Sequence, residues 1–109
     1  MKIRAGLLAV LALGTAPAYA ALQEVSVTNP TVWATTGSNV IRVITPNVNV
    51  VNADGCSDPD SYMVLQTLPR DAQMRIYALL LTAKVNSKSM TLRVSGCESN
   101  RPAIIDAYF

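Results

Sequence analysis

The sequence contains no histidine among its 109 residues. Histidine is the side chain that most often acts as a general base in enzymes, and it is a frequent zinc ligand, so both kinds of site lack a common component. Ser95-Gly96 does not belong to the G-x-S-x-G turn that presents a catalytic serine. We therefore expect a protein that is not an enzyme, with no catalytic residue, no metal and no cofactor.

The chain also lacks an excess of charge once its first residues are set aside. Nine basic residues stand against seven acidic ones, but Lys2 and Arg4 lie in a segment that we expect to be removed, which leaves seven of each sign. Nucleic-acid binding needs a concentrated positive surface, so we expect no nucleic-acid partner. A net charge near zero is compatible with self-association.

The apolar run at residues 5–13 is too short to cross a bilayer, which takes about 20 residues. It follows Lys2 and Arg4 and precedes Ala18-Tyr19-Ala20, a pattern typical of a secretory signal peptide with an A-x-A cleavage site. We predict a signal peptide at residues 1–20 and one mature domain at residues 21–109, without a membrane span after cleavage. The expected location is secreted or periplasmic.

Two cysteines are present, Cys56 and Cys97. Export and an even cysteine count favour one disulfide bond, whereas a metal bound by this pair would lack further ligands in a chain without histidine. The bond would close a loop of about 40 residues, which corresponds to about 4 kcal/mol of stability in the chain-entropy model. We predict a Cys56–Cys97 disulfide.

Alternating and β-branched segments predict a mainly β domain with five strands and one helix. The first strand covers residues 21–28, and residues 32–34 extend it beyond the Asn29-Pro30 break. The other strands are expected at residues 40–45, 61–66, 88–95 and 102–109, and the valines at 48, 50 and 51 are candidates for a further short strand. With the helix between strands 3 and 4, this is the order of the OB-fold, a five-stranded Greek-key barrel. A plain α+β sandwich fits the same order less specifically.

The helix is predicted at residues 68–85, with Thr67 as its N-cap and Pro69 in its first turn. At about 100° per residue it carries two apolar stripes on opposite sides, where an ordinary surface helix has one. The inner stripe consists of Ala72, Ile76, Leu79, Leu80 and Ala83. The outer stripe consists of Met74, Ala78, Leu81 and Val85. Either another subunit or the protein's own loops must cover the outer stripe, which makes its four residues candidates for an oligomer interface.

Three aspartates, Asp54, Asp58 and Asp60, form the main carboxylate cluster of the sequence. Their spacing lacks the loop pattern and the terminal glutamate of an EF-hand, so we do not predict calcium binding. Turn formation explains these residues adequately. A small hydrolase would remain an alternative if the three carboxylates converged in a pocket.

Trp33 and Arg42 are the best candidates for ligand binding. An exposed tryptophan offers a large face on which a sugar ring can stack, and an arginine can hold a carboxylate. The alternatives are that Trp33 fills the core or a barrel mouth and that Arg42 lies on a solvated strand face. Tyr62, Tyr77 and Tyr108 are interpreted as packing residues whose hydroxyls reach solvent, and Arg93 and Arg101 as surface charges.

The frame from residue 38 to residue 109 resembles a known group. It places a cysteine before the third strand, then an alanine- and leucine-rich helix, then residues 88–97 ending in Val94-Ser95-Gly96-Cys97, and finally a strand with two isoleucines. This frame looks like small exported bacterial proteins that in turn resemble the B subunits of AB5 toxins, of the subtilase-cytotoxin and pertussis-like group. The resemblance implies an OB-fold, a ring of five subunits and binding of cell-surface glycans, sialylated ones among them. It assigns no glycan-contacting residue in this chain.

From these observations the sequence predicts an exported binding module, similar to a toxin B subunit, that recognises cell-surface glycans as a homo-oligomer. The alternative is a periplasmic structural or interaction protein, such as an inhibitor or accessory subunit, that binds a secreted protein and has no affinity for glycans.

Overall fold

The computed structural model describes residues 21–35 and 37–109, so the predicted signal peptide at residues 1–20 lies outside the described residues. Within these ranges the chain forms six strands and one helix: β1 (Gln23–Thr28), β2 (Thr31–Thr35), β3 (Val40–Ile44), β4 (Tyr62–Val64), α1 (Arg70–Asn86), β5 (Ser89–Glu98) and β6 (Arg101–Tyr108). The prediction of a mainly β domain with one helix is confirmed.

The strands form one mixed sheet in the order β1-β5-β6-β4-β3-β2. Neighbouring strands are antiparallel except β4 and β6, which run parallel. The two outermost strands, β1 and β2, are separated in the chain only by Asn29 and Pro30. The opposite edges of the sheet are therefore joined by one tight bend, which requires the sheet to curl back on itself.

The strand count differs from the predicted five because the first predicted strand is divided at this bend. Asn29 has a positive φ of 49°, and proline cannot donate a ladder hydrogen bond, so regular pairing stops at these two residues. On one side of the bend β1 pairs with β5, and on the other side β2 pairs with β3. The valines near residue 50 form no strand in the described structure, since residues 45–61 run as a loop with turns.

The core follows from the alternation of the strands. Val25 and Val27 of β1 face inward opposite Leu92 and Met90 of β5, while the residues between them face solvent. The remainder of β5 and the strands β3, β4 and β6 add further buried side chains, namely Ile41, Val43, Tyr62, Val64, Val94 and Ile104. The Tyr62 side chain is fully buried, and its hydroxyl accepts a hydrogen bond from the Val51 N–H at 2.8 Å. The expectation that this hydroxyl reaches solvent is therefore wrong.

The helix begins two residues later than predicted, at Arg70, with Pro69 rather than Thr67 at the N-cap position. A residue that precedes proline is driven out of the helical region, which keeps Leu68 outside the helix. The helix ends at Asn86, one residue beyond the predicted end, where Ser87 adopts the left-handed conformation and its N–H bonds back to the last turn.

Gln73, in the first turn of the helix, binds the backbone that precedes the helix. Its side-chain amide donates to the carbonyls of Gln66 and Leu68 at 3.0 and 2.9 Å, and its carbonyl oxygen accepts from Arg70 at 3.3 Å. Helical spacing alone places Gln73 on a polar seam, but the structure buries it. Its hydrogen bonds to backbone carbonyls that precede the helix explain how a polar side chain is tolerated there.

The two apolar stripes of α1 have different environments. From the inner stripe, Ile76, Leu80 and Ala83 are buried in the core. All four residues of the outer stripe are exposed in this single chain, up to 80 % for Val85. The protein's own loops therefore do not cover the outer stripe within the described residues.

In the same ranges, no helix is long and apolar enough to span a membrane.

The predicted disulfide is confirmed. Cys56 and Cys97 are bonded, with their Cα atoms 5.8 Å apart and 41 positions apart in sequence. Cys56 lies in the long loop before β4, and Cys97 lies near the end of β5. The bond therefore ties a loop without regular secondary structure to the longest strand of the sheet.

We expect loss of this bond to destabilise the domain by about 4 kcal/mol, because the released loop regains conformational entropy in the unfolded chain. The measurement is urea unfolding of the oxidised protein and of the Cys56→Ala/Cys97→Ala double variant. A variant with unchanged stability would contradict this role of the disulfide.

Candidate functional site

Trp33 and Arg42 lie directly opposite each other in the antiparallel pair of β2 and β3. Their side chains share one face of this pair, and the Arg42 guanidinium carbon lies 5.3 Å from the centroid of the Trp33 ring. This geometry is a cation–π contact. Trp33 nevertheless remains 51 % exposed, so the core-filling alternative is wrong and a large part of the indole surface meets solvent.

Arg42 is not a free cation on a solvated strand face. Its Nη2 donates to both carboxylate oxygens of Asp60, at 3.1 and 2.9 Å, and its Nε donates to the hydroxyl of Ser61 at 2.8 Å. The Ser61 hydroxyl in turn donates to Asp60 at 2.9 Å and is almost completely buried. Arg42 is thus held by groups at the start of β4, and its planar guanidinium is fixed against the indole.

Asp60 also binds a second arginine. Arg101 donates from Nε to one oxygen of Asp60 at 2.7 Å and from Nη2 to Asp58 at 2.9 Å. Its Nη1 donates to the backbone carbonyl of Ser99 at 2.9 Å. The sequence interpretation of Arg101 as a surface charge is therefore wrong, because its side chain is mostly buried by these partners.

This group, which we call the Asp60 network, consists of Arg42, Asp58, Asp60, Ser61 and Arg101. Two cations around one carboxylate hold the pKa of Asp60 far below its ordinary value of 3.8, and the hydrogen bond from Arg101 is the largest cause. The same contact raises the pKa of Arg101. Asp60 and Arg101 therefore stay ionised at neutral pH. The network contains two arginines and two aspartates, so its formal charges balance.

The sequence contained one indication that Arg101 would bind the aspartates of the loop before β4. The Cys56–Cys97 bond brings the residues that follow each cysteine together, and the Asp58 N–H donates to the carbonyl of Asn100 at 2.9 Å. Two aspartates shortly after one cysteine and an arginine shortly after the other would be expected to meet.

The three aspartates do not converge. Asp54 accepts hydrogen bonds from the backbone N–H groups of Ala21 and Gly96, both at 2.7 Å, whereas Asp58 and Asp60 bind Arg101. The condition for the hydrolase alternative is therefore not met. Among residues 21–35 and 37–109, no group of three or more acidic, histidine or cysteine side chains is placed to hold a metal ion.

A cleft of about 240 Å³ lies between the first turns of α1 and the end of β2 and β3 at which the two strands are connected. Met74 from the outer stripe contributes to its wall, together with Arg70, Tyr77, Ala34, Thr35, Asn39, Val40 and Ile41. Ala34 and Ile41 are the register partners next to Trp33 and Arg42, and successive strand residues face opposite sides. Ile41 is buried in the core, so Trp33 and Arg42 lie on the face of this strand pair that points away from the core, whereas the cleft is lined by residues of both faces.

Comparison of the chain with protein-family models, with curated proteins and with solved structures finds no match.

We expect Asp60→Asn to lower the free energy of unfolding by about 1 kcal/mol at pH 7, since the carboxylate is half exposed and surface ion pairs contribute little. The pKa of Asp60 is lower in the folded state, so its stabilising effect is complete above about pH 4 and is lost as the pH falls below that. Urea unfolding of both proteins between about pH 7 and pH 2 should show the difference shrinking with acidification.

The matched control is Asp71→Asn, which removes an exposed aspartate whose pKa is also lowered by its arginine partner, Arg75. We expect a smaller loss of stability for this variant than for Asp60→Asn. Equal losses would indicate that the Asp60 network stabilises the fold no more than an ordinary surface pair.

Proposed function

We propose that the mature chain is an exported, non-enzymatic glycan-binding module with an OB-fold, similar to the B subunits of AB5 toxins. The observation that carries this proposal is the half-exposed indole of Trp33 fixed by Arg42 beside the Asp60 network. The resemblance at residues 38–109 implies the class of ligand, and the geometry supports the Trp33 surface as the place where it would bind.

The connectivity supports the OB-fold part of the proposal. If β1 and β2 count as one strand bent at Asn29 and Pro30, the chain has five strands, and the helix lies between the third and the fourth. The bent strand then pairs with both the second and the fourth strand, and the third strand pairs in parallel with the fifth. This pairing supports the closed Greek-key barrel that the sequence predicts.

The physical chemistry of the Trp33 surface supports a sugar ligand. The carbon face of a pyranose ring is apolar and packs on an indole, while its hydroxyl groups need donors and acceptors close by. Asp58 and Asp60 are about half exposed beside the arginines that bind them, so they offer such groups at the edge of the indole. Of the two, Asp60 is the one bound to Arg42, the arginine that contacts the indole. Because salt bridges already hold these side chains, little side-chain entropy is lost when a ligand binds.

The outer stripe of α1 supports assembly into a homo-oligomer. An apolar row of Met74, Ala78, Leu81 and Val85 along an exposed helix is costly in water and is typical of an interface. The AB5 resemblance implies five subunits in which such helices surround the central axis. The same stripe would serve a secreted protein partner in the alternative function, as an inhibitor or accessory subunit.

For glycan binding, we expect Trp33→Ala to weaken binding to the best ligand of a broad glycan array by at least about tenfold, which corresponds to about 1.4 kcal/mol. Loss of the stacked ring is the physical reason. The matched control is Phe109→Ala, because Phe109 is also 51 % exposed and also contacts a cation, Lys88, at 5.2 Å. Binding should be retained in this control.

An array on which the oxidised protein binds no glycan would contradict the proposed function. Binding that is equally strong in Trp33→Ala would contradict only the assigned site. In that case the cleft beside Met74 would be the next surface to test.

For assembly, we expect light scattering of the mature, oxidised protein to give a mass of about five subunits, as the resemblance implies. Leu81→Asp/Val85→Asp should reduce this mass to that of a monomer, because a buried carboxylate without a partner is unfavourable. Thr82→Asp adds a charge to an exposed position of the same helix outside the stripe and should leave the mass unchanged. A monomeric wild-type protein would contradict the ring and favour the role of a single interaction domain.

A further inference from the structure

The backbone nitrogen of Ala21 is hydrogen-bonded to a carboxylate in the loop before β4. It donates to Oδ1 of Asp54 at 2.7 Å across 33 positions of sequence. The other oxygen, Oδ2, accepts the N–H of Gly96, also at 2.7 Å. One carboxylate therefore connects the first described residue of the chain to β5.

Contacts that do not involve Ala21 position this carboxylate. The side chain of Asn52 accepts from the N–H of Cys56 at 2.8 Å and donates to its carbonyl at 3.0 Å, so the loop around Asp54 is closed on itself. The disulfide then ties Cys56 to Cys97, the residue next to Gly96. The loop and β5 therefore position the Asp54 carboxylate through contacts that do not depend on Ala21.

We propose that Asp54 is the binding site for the α-ammonium group of the processed chain, created by cleavage between Ala20 and Ala21. Water adds to the Ala20 carbonyl and the peptide bond breaks under a processing protease. Ala20 leaves as a carboxylate, and the nitrogen of Ala21 becomes a primary amine that takes up a proton. The A-x-A motif at residues 18–20 ends at this bond, and the structure independently places the nitrogen that follows it against a carboxylate.

Cleavage changes the chemical nature of the donor in this contact. Before cleavage the nitrogen is an amide with one N–H and no charge. Afterwards it carries three N–H groups and a positive charge, since an α-amine with a pKa of about 7.7–8.0 is protonated at neutral pH. Hydrogen bonds between charged partners are roughly twice as strong as those between neutral ones. The folded domain therefore becomes more stable once the signal segment is removed, and only when the cut is made at this bond.

The test compares a chain that starts at Ala21 with one that keeps Ala20, each prepared by a self-cleaving N-terminal fusion. The extra residue replaces the ammonium at Ala21 with an amide and should lower Tm by about 4–8 °C, the range for a loss of about 1 kcal/mol in a domain of this size. In the Asp54→Asn background the same extension should leave Tm unchanged. In the Asp71→Asn background, the matched control, it should lower Tm as much as in the wild type.

A second measurement keeps the test valid if Asp54→Asn does not fold. The α-amine of the chain starting at Ala21 should react with an amine-specific ester at least about tenfold more slowly in the folded protein than in the denatured protein, because a protonated amine is unreactive and Asp54 favours the protonated form. Exposed Lys84 and Lys88 serve as internal references in the same mass spectra and should change little.

Three results of these two measurements would overturn the proposal. They are an extension that leaves Tm unchanged in the wild type, an extension that lowers Tm equally with Asp54→Asn, and an α-amine that reacts as fast in the folded as in the denatured protein. Mass spectrometry of the exported full chain should give Ala21 as its first residue, and a different first residue would also overturn it.

Discussion

The Cys56–Cys97 disulfide is the constraint on which the polar architecture of this domain depends. The loop before β4 has no strand of its own, and it carries three aspartates that need partners. The bond brings this loop against the end of β5, where Asp54 reaches the backbone of that strand and Asp58 and Asp60 reach Arg101. Hydrophobic alternation alone builds the sheet, but the covalent bond decides what the acidic loop touches.

The Asp60 network connects the disulfide-bonded loop to the indole of Trp33. Asp60 holds Arg42 at two oxygens, and Arg42 lies against Trp33 on the neighbouring strand. An exposed tryptophan on an outer strand would otherwise lose rotamer freedom when it binds a ligand. Because the ion pairs are formed in the free protein, the loss of rotamer entropy occurs on folding. A ligand then binds a surface that is already ordered.

Most of the fold was predictable, because strand alternation and the helix period are local signals. The first strand appeared as one element, and only the pairing partners on each side of the bend distinguish its two halves. The site was predictable in part. Trp33 and Arg42 were singled out separately, but their contact depends on the β2–β3 register, which no local pattern encodes. Arg101 and Gln73 were misjudged for a related reason, since their partners are a remote carboxylate and backbone carbonyls outside the helix, which helical or strand spacing does not show.

The separation of the two candidate surfaces bears on how the proposed function would work. The core is filled by one stripe of α1, so the outer stripe is available for assembly without loss of packing. Trp33 lies on the face of β2 and β3 that points away from the core, since Ile41 and Val43, on either side of its partner Arg42, are buried. An assembly through α1 that leaves this face uncovered would keep each indole open to solvent. A single exposed sugar platform binds weakly, but several copies held rigidly together convert later contacts into intramolecular ones and raise avidity by factors of about 10²–10⁴. A small domain with one modest site gains most from such an assembly, which gives the apolar outer stripe and the half-exposed indole one common explanation.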